Sequence, residues 1–287
     1  MPAEIPNVRL KLASNPESAV VVRQVIAGLA DTIGLGALEL NEVNTAVSEA
    51  SNNVVLHAYG GEEGPLEVDM FCRCGGLCVA VRDRGRGMSG DQLAGSTPPA
   101  GGLGIGLPVI RALAREVECN DVPDGGTEVW MTFATAHPHT LRQPHQDDGL
   151  QGAVLESPSP PTNTAALAVA PISLARAVVP RVLSAMAARA YFSIDRISDA
   201  QLLADALVAH TDDSLCASHL NVEVDAAPRE LRLRLGPLHA GHAGALVHDT
   251  TADGLGALLG LLADGHRTVG VSAGPSEMLV LRLDARR

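Results

Sequence analysis

Glu49 and Asn53 sit four residues apart in Glu49-Ala-Ser-Asn-Asn53, the spacing that puts two side chains on one face of a helix. A carboxylate and an amide then converge on one spot. The carboxylate could take a proton from an attacking hydroxyl, and the amide oxygen is a hard ligand of the kind Mg²⁺ accepts beside substrate phosphates. His57 falls one further turn along the same stripe. Read alone, the pattern also describes an ordinary solvated helix face.

Two glycine-rich stretches follow in order. In Asp83-Arg-Gly85-Arg-Gly87, a carboxylate accepting from an exocyclic amine would select adenine over guanine. The glycines there let the backbone turn against a ligand where a Cβ would clash, although the same five residues also describe a common turn. Gly102-Leu103-Gly104-Ile105-Gly106 then runs into a helical stretch, Leu107 to Ala114, with Pro108 in its first turn where a missing N–H matters least. Unpaired N–H groups at a helix start attract phosphate through hydrogen bonds and the macrodipole. A dinucleotide-binding fold would need its glycines directly after the first strand, with an acidic residue about 20 positions on. Here they follow the helical motif and a lid-like loop, residues 89–101, so that arrangement is disfavoured.

The elements that must hold these groups can be read from periodicity. From Leu40 to Tyr59, Val43, Ala46, Val47, Ala50, Val54 and Leu56 recur at roughly helical spacing and predict one amphipathic helix. Leu66 to Cys74 and Leu77 to Val81, joined across Gly75-Gly76, predict a hairpin with Asp83 at its far end. Upstream, Val8 to Leu12 reads as a strand and Glu17 to Thr32 as a helix. Gly126 to Phe133 reads as a closing strand.

Over residues 8 to 134 the chain resembles the Bergerat-fold (GHKL, histidine-kinase-like) ATPases shared by histidine kinases, gyrase, chaperones and repair proteins. Within them it is most similar to the bacterial anti-sigma factor serine kinases, which also begin with one strand and one helix. The resemblance implies an α+β fold, a two-layer α/β sandwich that binds ATP with Mg²⁺. It implies that Asp83 binds the adenine amine, with Gly85 and Gly87 beside it, and that Thr127 supports the adenine side. It further implies that Asn53 holds Mg²⁺, that Glu49 is the general base, and that Gly102, Leu103, Gly104, Ile105 and Gly106 seat the phosphates. The implied activity is that of an anti-sigma regulatory factor that phosphorylates a serine on an anti-sigma-factor antagonist, with the antagonist, a sigma factor, or both as partners.

One departure bears on catalysis. In phosphorylating relatives a cationic lid residue commonly reaches the γ-phosphate, and charge neutralisation is most of what phosphoryl transfer asks of a protein. The lid here, Met88 to Gly101, carries no Lys or Arg, and only Arg84, Arg86 and Arg111 are near in sequence. A non-catalytic, ATP-dependent partner switch is therefore the alternative reading. A dimer-clamping ATPase is disfavoured, because the rest of the chain is too small and repeat-like for a transducer domain.

Composition sets the wider limits. A net charge of −12 with a single lysine, Lys11, argues against nucleic acid as partner. No segment reaches 18 uncharged apolar residues and no basic-plus-apolar leader opens the chain, so no membrane partner and a cytoplasmic location are expected. The five cysteines form no CxxC pair, which argues against a disulfide framework. Cys72, Cys74 and Cys78 have even spacing on the hairpin and could share a face. Small core residues are the alternative to a thiolate metal site, since structural zinc wants four ligands.

The 287 residues predict two domains, 1–136 for ATP and 166–287, joined by a Pro/Ser/Gln-rich linker at 137–165 that includes Ser157-Pro-Ser-Pro-Pro161. The second half reads as a degenerate copy of the first. Ser173 to Ala190 and Ser198 to Ala209 repeat its two helices, Leu220 to Leu235 repeats the hairpin, and Gly254 to Leu259 sits where the last glycine box would be. Ser276 to Leu281 echoes Thr127 to Thr132. Aligned by eye, Asp205 stands at the Glu49 position, Ala209 at Asn53, Pro237 at Asp83 and His239 at Gly85, so this half is expected not to bind ATP. His239, His242 and His248 lack a matching carboxylate or cysteine set and read as loop residues. Anti-sigma kinases of this family often work as dimers, so the inactive copy could supply an intrachain pseudo-dimer, with a homodimer as the alternative.

Overall fold

The computed structural model describes residues 5–73, 75–87, 106–123, 125–135, 141, 162–251, 254–271 and 275–285. Most of the predicted linker, the lid and Gly102 to Ile105 lie outside these residues. The chain divides into two compact units, built by described residues 6–135 and 163–285.

In the first unit, β1 (Val8–Ala13) leads into α1 (Ser18–Ile33) and α2 (Ala37–Asn53). The hairpin β2 (Pro65–Arg73) and β3 (Gly76–Asp83), the helix α3 (Gly106–Leu113) and the strands β4 (Glu116–Asp121) and β5 (Thr127–Ala134) complete it. The sheet order is β4-β5-β3-β2-β1, antiparallel throughout. Alternation decides which face is inside. Leu10, Leu12, Leu66, Val68, Met70, Leu77, Val79, Val81 and Met131 are essentially buried, as are Val25, Ile26 and Leu29 of α1 and Val43, Ala46 and Val47 of α2. Each of the larger side chains among them contributes about 1.5–3 kcal/mol on burial, and together they make one sheet-on-helix core.

The opposite sheet face carries alternating charge. Arg9 pairs with Asp69 at 2.9 Å, and the buried Glu67 takes Arg84 at 3.1 Å, Arg82 at 3.6 Å and Lys11 at 3.7 Å. Further along this face Phe71 stacks on Trp130, with ring centroids 5.1 Å apart.

Two expectations change here. The single helix predicted over 40–59 is α2 only to Asn53, and continues as a π-helical turn, Val54–Ala58. Its i→i+5 bonding takes His57 off the 3.6-residue stripe that carries Glu49 and Asn53. The cysteines do not share a face either. Cys72 pairs with Leu77 while Phe71 pairs with Cys78, so the two thiols lie on opposite sides of the sheet, and Cys74 is outside the described residues. Burial pushes the Cys72 thiol up to about 12, and no cluster of metal-ligating side chains occurs among the described residues.

The second unit consists of β6 (Thr164–Val169), α4 (Ile172–Arg189), α5 (Ile194–Thr211), β7 (Leu220–Ala227), β8 (Glu230–His239), α6 (His242–His248), α7 (Leu255–Leu262), β9 (Gly265–Gly270) and β10 (Ser276–Asp284). Its sheet order, β9-β10-β8-β7-β6, is that of the first unit strand for strand. The register also repeats: Glu67 faces Arg82 as Asn221 faces Gly236, which puts Pro237 at the Asp83 position and His239 at Gly85. Burial corrects the helix alignment by one residue. The buried stripe Val43, Ala46, Val47, Ala50 and Val54 falls on Ala200, Leu203, Ala204, Leu207 and Thr211. Ala206 and His210, rather than Asp205 and Ala209, therefore stand where the first unit has Glu49 and Asn53.

Candidate functional site

Glu49 and Asn53 occupy the last turn of α2, both half-buried. Gly106, the first residue of α3, lies directly against them. A Cβ built on it would come 3.3 Å from Asn53 Oδ1 and 3.4 Å from Glu49 Oε2. The carboxylate, the amide and a helix start, where the first N–H groups have no partner within the helix, thus meet at one point, which glycine keeps open.

Asp83 closes β3 and is 6% exposed. Its Oδ1 accepts the Gly85 N–H at 2.8 Å, and its carboxylate also accepts the backbone N–H of the buried Thr127 at the start of β5. Burial raises its pKa above the usual aspartate value, and those two backbone donors oppose the rise. Two carboxylate oxygens offer about four acceptor sites, so two remain for a ligand donor.

Glycine is required on both sides of this carboxylate. A Cβ on Gly85 would overlap the Ala58 carbonyl, and one on Gly126 would overlap the Asp83 carbonyl at a backbone φ of +98°. Gly87, at φ +73°, faces the Gly126 carbonyl. The structure therefore brings Glu49, Asn53 and Gly106 together, and separately Asp83, Gly85, Gly87 and Thr127. Gly102, Leu103, Gly104 and Ile105 lie outside the described residues.

Residues 12–133 match the family model described as a histidine kinase-like ATPase domain. Among curated proteins, the chain is 31% identical over 112 residues to the serine/threonine-protein kinase RsbT of Bacillus subtilis, covering 38% of this chain and 84% of that one. It is 30% identical over 138 residues to the serine-protein kinase RsbW of Bacillus pumilus, covering 44% and 83%. It is 28% identical over 130 residues to the anti-sigma F factor of Caldanaerobacter subterraneus, covering 44% and 91%. The chain belongs to the histidine-kinase-like ATPase family, in its anti-sigma regulatory branch.

As an ATPase-family pocket the site has a clasp that sequence reasoning missed. Tyr59 donates its hydroxyl to the Pro65 carbonyl at 2.6 Å and accepts the Arg84 N–H at 2.8 Å. Beside it, the Arg86 N–H donates to the Ala58 carbonyl at 3.1 Å. The end of the Glu49–Asn53 helical segment is thereby tied to the turn after Asp83. Burial, with the charges of Asp83 and Glu67, pushes the Tyr59 phenol up to about 12. Its sequence signal was rarity, since the chain has two tyrosines and one directly follows the helical motif.

Of the nearby cations, one is engaged by a carboxylate. Arg84 pairs with Glu67 and the Arg86 guanidinium lies over Gly60, while Arg111 on α3 is near enough to oppose the burial-driven rise of Cys119. Among the described residues no helix is long and apolar enough to cross a membrane.

Proposed function

We propose that the first unit binds ATP with Mg²⁺ and transfers its γ-phosphoryl group to a serine of an anti-sigma-factor antagonist. The observation that carries this reading is the meeting of Glu49, Asn53 and the glycine start of α3, where a Cβ on Gly106 would come within 3.4 Å of both side chains. Asp83 is poised to accept the adenine amine, and its burial makes that hydrogen bond count. The Asn53 amide oxygen beside the Glu49 carboxylate is a hard donor set that fits Mg²⁺, and the space left by Gly106 keeps it accessible. Bound there, the metal would neutralise charge on the phosphates. Glu49 takes the proton as the serine oxygen bonds to phosphorus. The bridging phosphoanhydride bond breaks and ADP leaves.

A second reading is an ATP-dependent switch that binds antagonist or sigma factor without transfer. It is favoured by the cation-free lid and by the engagement of Arg84 with Glu67. We further propose that the second unit, with Ala206, His210 and Pro237 at the Glu49, Asn53 and Asp83 positions, binds no nucleotide. In keeping with the anti-sigma reading, the protein acts in the cytoplasm and does not engage nucleic acid.

Phosphotransfer from Mg-ATP to candidate antagonists, run with wild type, Glu49→Ala and Asp83→Asn, tests the reading. The expected result is transfer by wild type alone, with ATP still bound by Glu49→Ala. ATP binding without any transfer rejects the kinase and keeps the switch, and no ATP binding by wild type rejects both.

A further inference from the structure

The two units differ in charge on the outer face of their sheets, at the edge strand. Core alternation in β10 buries Leu279, Leu281 and Leu283, which leaves Val280 and Arg282 facing the other way. Across the pairing, Arg267 of β9 stands beside Val280 and Gly265 beside Arg282, while Arg234 and Arg232 of β8 stand on their other sides. Arginines thus occupy adjoining positions on β8, β10 and β9. At the Arg232 and Arg234 positions the first unit has the buried Cys78 and Ala80, and at those of Gly265 and Arg267 it has the exposed Glu116 and Glu118. The edge has changed sign.

Folding does not call for this cluster. Arg232 and Arg282 stand directly opposite one another, where like charges are destabilising. Charges on an edge strand can guard it against unwanted pairing, but Arg232, Arg234 and Arg282 belong to the inner strands β8 and β10. A Cβ built on Gly265 would come 3.8 Å from Arg282 Nε, so the Arg282 side chain lies over that glycine, toward the edge. Two residues along β9, or about 7 Å, Arg267 makes no ion pair or hydrogen bond among the described residues. Among the described strands β9 pairs with β10 alone, and Val269 beyond Arg267 is exposed on the same face.

The chemistry of an occupant follows from what the arginines already hold. Arg232 pairs with Glu230 at 2.6 Å, Arg234 with Glu223 at 2.9 Å and Arg282 with Asp284 at 3.3 Å. A lone carboxylate would only exchange like for like with these. A phosphate monoester brings about −1.5 to −2 charge and three acceptor oxygens, which the guanidinium fork matches bidentately. The carboxylates around the cluster and the net charge of −12 oppose a polyanion such as nucleic acid. The open edge of β9 offers backbone groups to an extended peptide, and Val269 offers it apolar contact.

We infer that β9 receives an extended segment of a partner protein as an added strand, with a phosphorylated serine side chain held between Arg267 and Arg282. The inference rests on the phosphotransfer reading for the source of that phosphoserine, whereas the binding itself is a property of the second unit. The second unit is thereby a reader of the first unit's product.

Fluorescence polarisation of the full chain with a short labelled peptide, alternating valine and threonine around one phosphoserine, tests this. Wild type is expected to bind it with a Kd below about 1 mM, and the unphosphorylated peptide at least about tenfold more weakly. Gly265→Glu combined with Arg267→Glu, the residues of the first unit, should abolish that preference without lowering the thermal midpoint, since neither position faces the core. No binding of the phosphopeptide, equal binding of both peptides, or a preference that survives the double exchange overturns the inference. Inorganic phosphate or a single-stranded oligonucleotide bound as tightly as the phosphopeptide also overturns it, the first marking a bare anion site and the second a nucleic-acid partner. A phosphopeptide with N-methylated backbone that binds undiminished overturns the added strand. Asp83→Asn, expected to lose ATP, should bind the phosphopeptide as wild type does, so failure of this site and failure of the nucleotide reading give different results.

Discussion

Tyr59→Phe removes one oxygen and with it two hydrogen bonds, the 2.6 Å donation to the Pro65 carbonyl and the 2.8 Å acceptance from the Arg84 N–H. Each such bond is worth about 0.5–1.5 kcal/mol net. Tyr59 is half-buried and water can replace part of the loss, so a destabilisation of about 1–2 kcal/mol is expected. For a unit of this size that lowers the thermal midpoint by roughly 3–10 °C. Arg84 follows Asp83 directly, so loosening its N–H also frees the carboxylate proposed to accept the adenine amine. ATP affinity should then fall about tenfold, and more than the weak affinity for GTP, so that discrimination narrows. A pH arm separates this from general damage. The folded phenol titrates at about 12 against an ordinary value of 10, so its contribution is fully present below pH 10 and is lost as pH rises through 12. Wild type should lose stability over that window, and Tyr59→Phe should lack that component. Differential scanning calorimetry and calorimetric titration with ATP and GTP measure all three effects. An unchanged midpoint with unchanged ATP affinity, or the same alkaline loss in both proteins, refutes the clasp.

Three other perturbations have defined outcomes. Gly85→Ala drives a Cβ into the Ala58 carbonyl and should cost about 1–3 kcal/mol as overpacking, with ATP binding lost; a midpoint within error of wild type would contradict the close approach. Because burial raises the pKa of Asp83, its ionised, amine-accepting form is lost earlier on acidification than for an ordinary aspartate, so ATP affinity should fall as pH drops toward that raised value while the tight-binding plateau lies above it. Titrations at stepped pH check this, and a flat profile over the range in which the fold survives would argue against Asp83 as the acceptor. In the second unit the buried Arg196 pairs with Asp199 and Asp264 and donates to the Leu262 and Asp284 carbonyls. Arg196→Met should cost about 1–3 kcal/mol by leaving half-buried acceptors without their donor, read by chemical denaturation, and a loss under 1 kcal/mol would show those bonds to be dispensable.

What could be read in advance follows from period. The hairpin β2–β3, the paired Glu49 and Asn53 and the helix beginning at Gly106 all rest on alternation, helical spacing and glycine placement, which are local signals. The π-helical turn after Asn53 was not legible, because an extra residue per turn leaves no compositional mark and shows only once Ala58 must reach the Gly85 backbone. The one-residue error that set Asp205 against Glu49 arose because α5 has apolar residues on more than one face; which face is buried is decided by the elements it packs on. Cys72 and Cys78 illustrate the same limit, since spacing within a hairpin assigns faces only when the pairing register is known. Tyr59 acts through backbone groups of Pro65 and Arg84, and partners of that kind are invisible to side-chain motifs.

The central claim is a single adenine-nucleotide site per chain, in the first unit only. Calorimetric titration of ATP and Mg²⁺ into the full chain tests it most directly, with Asp83→Asn alongside. The account predicts one site per chain, abolished in Asp83→Asn with the fold retained. Two sites per chain, no binding by wild type, or undiminished binding by Asp83→Asn would contradict it.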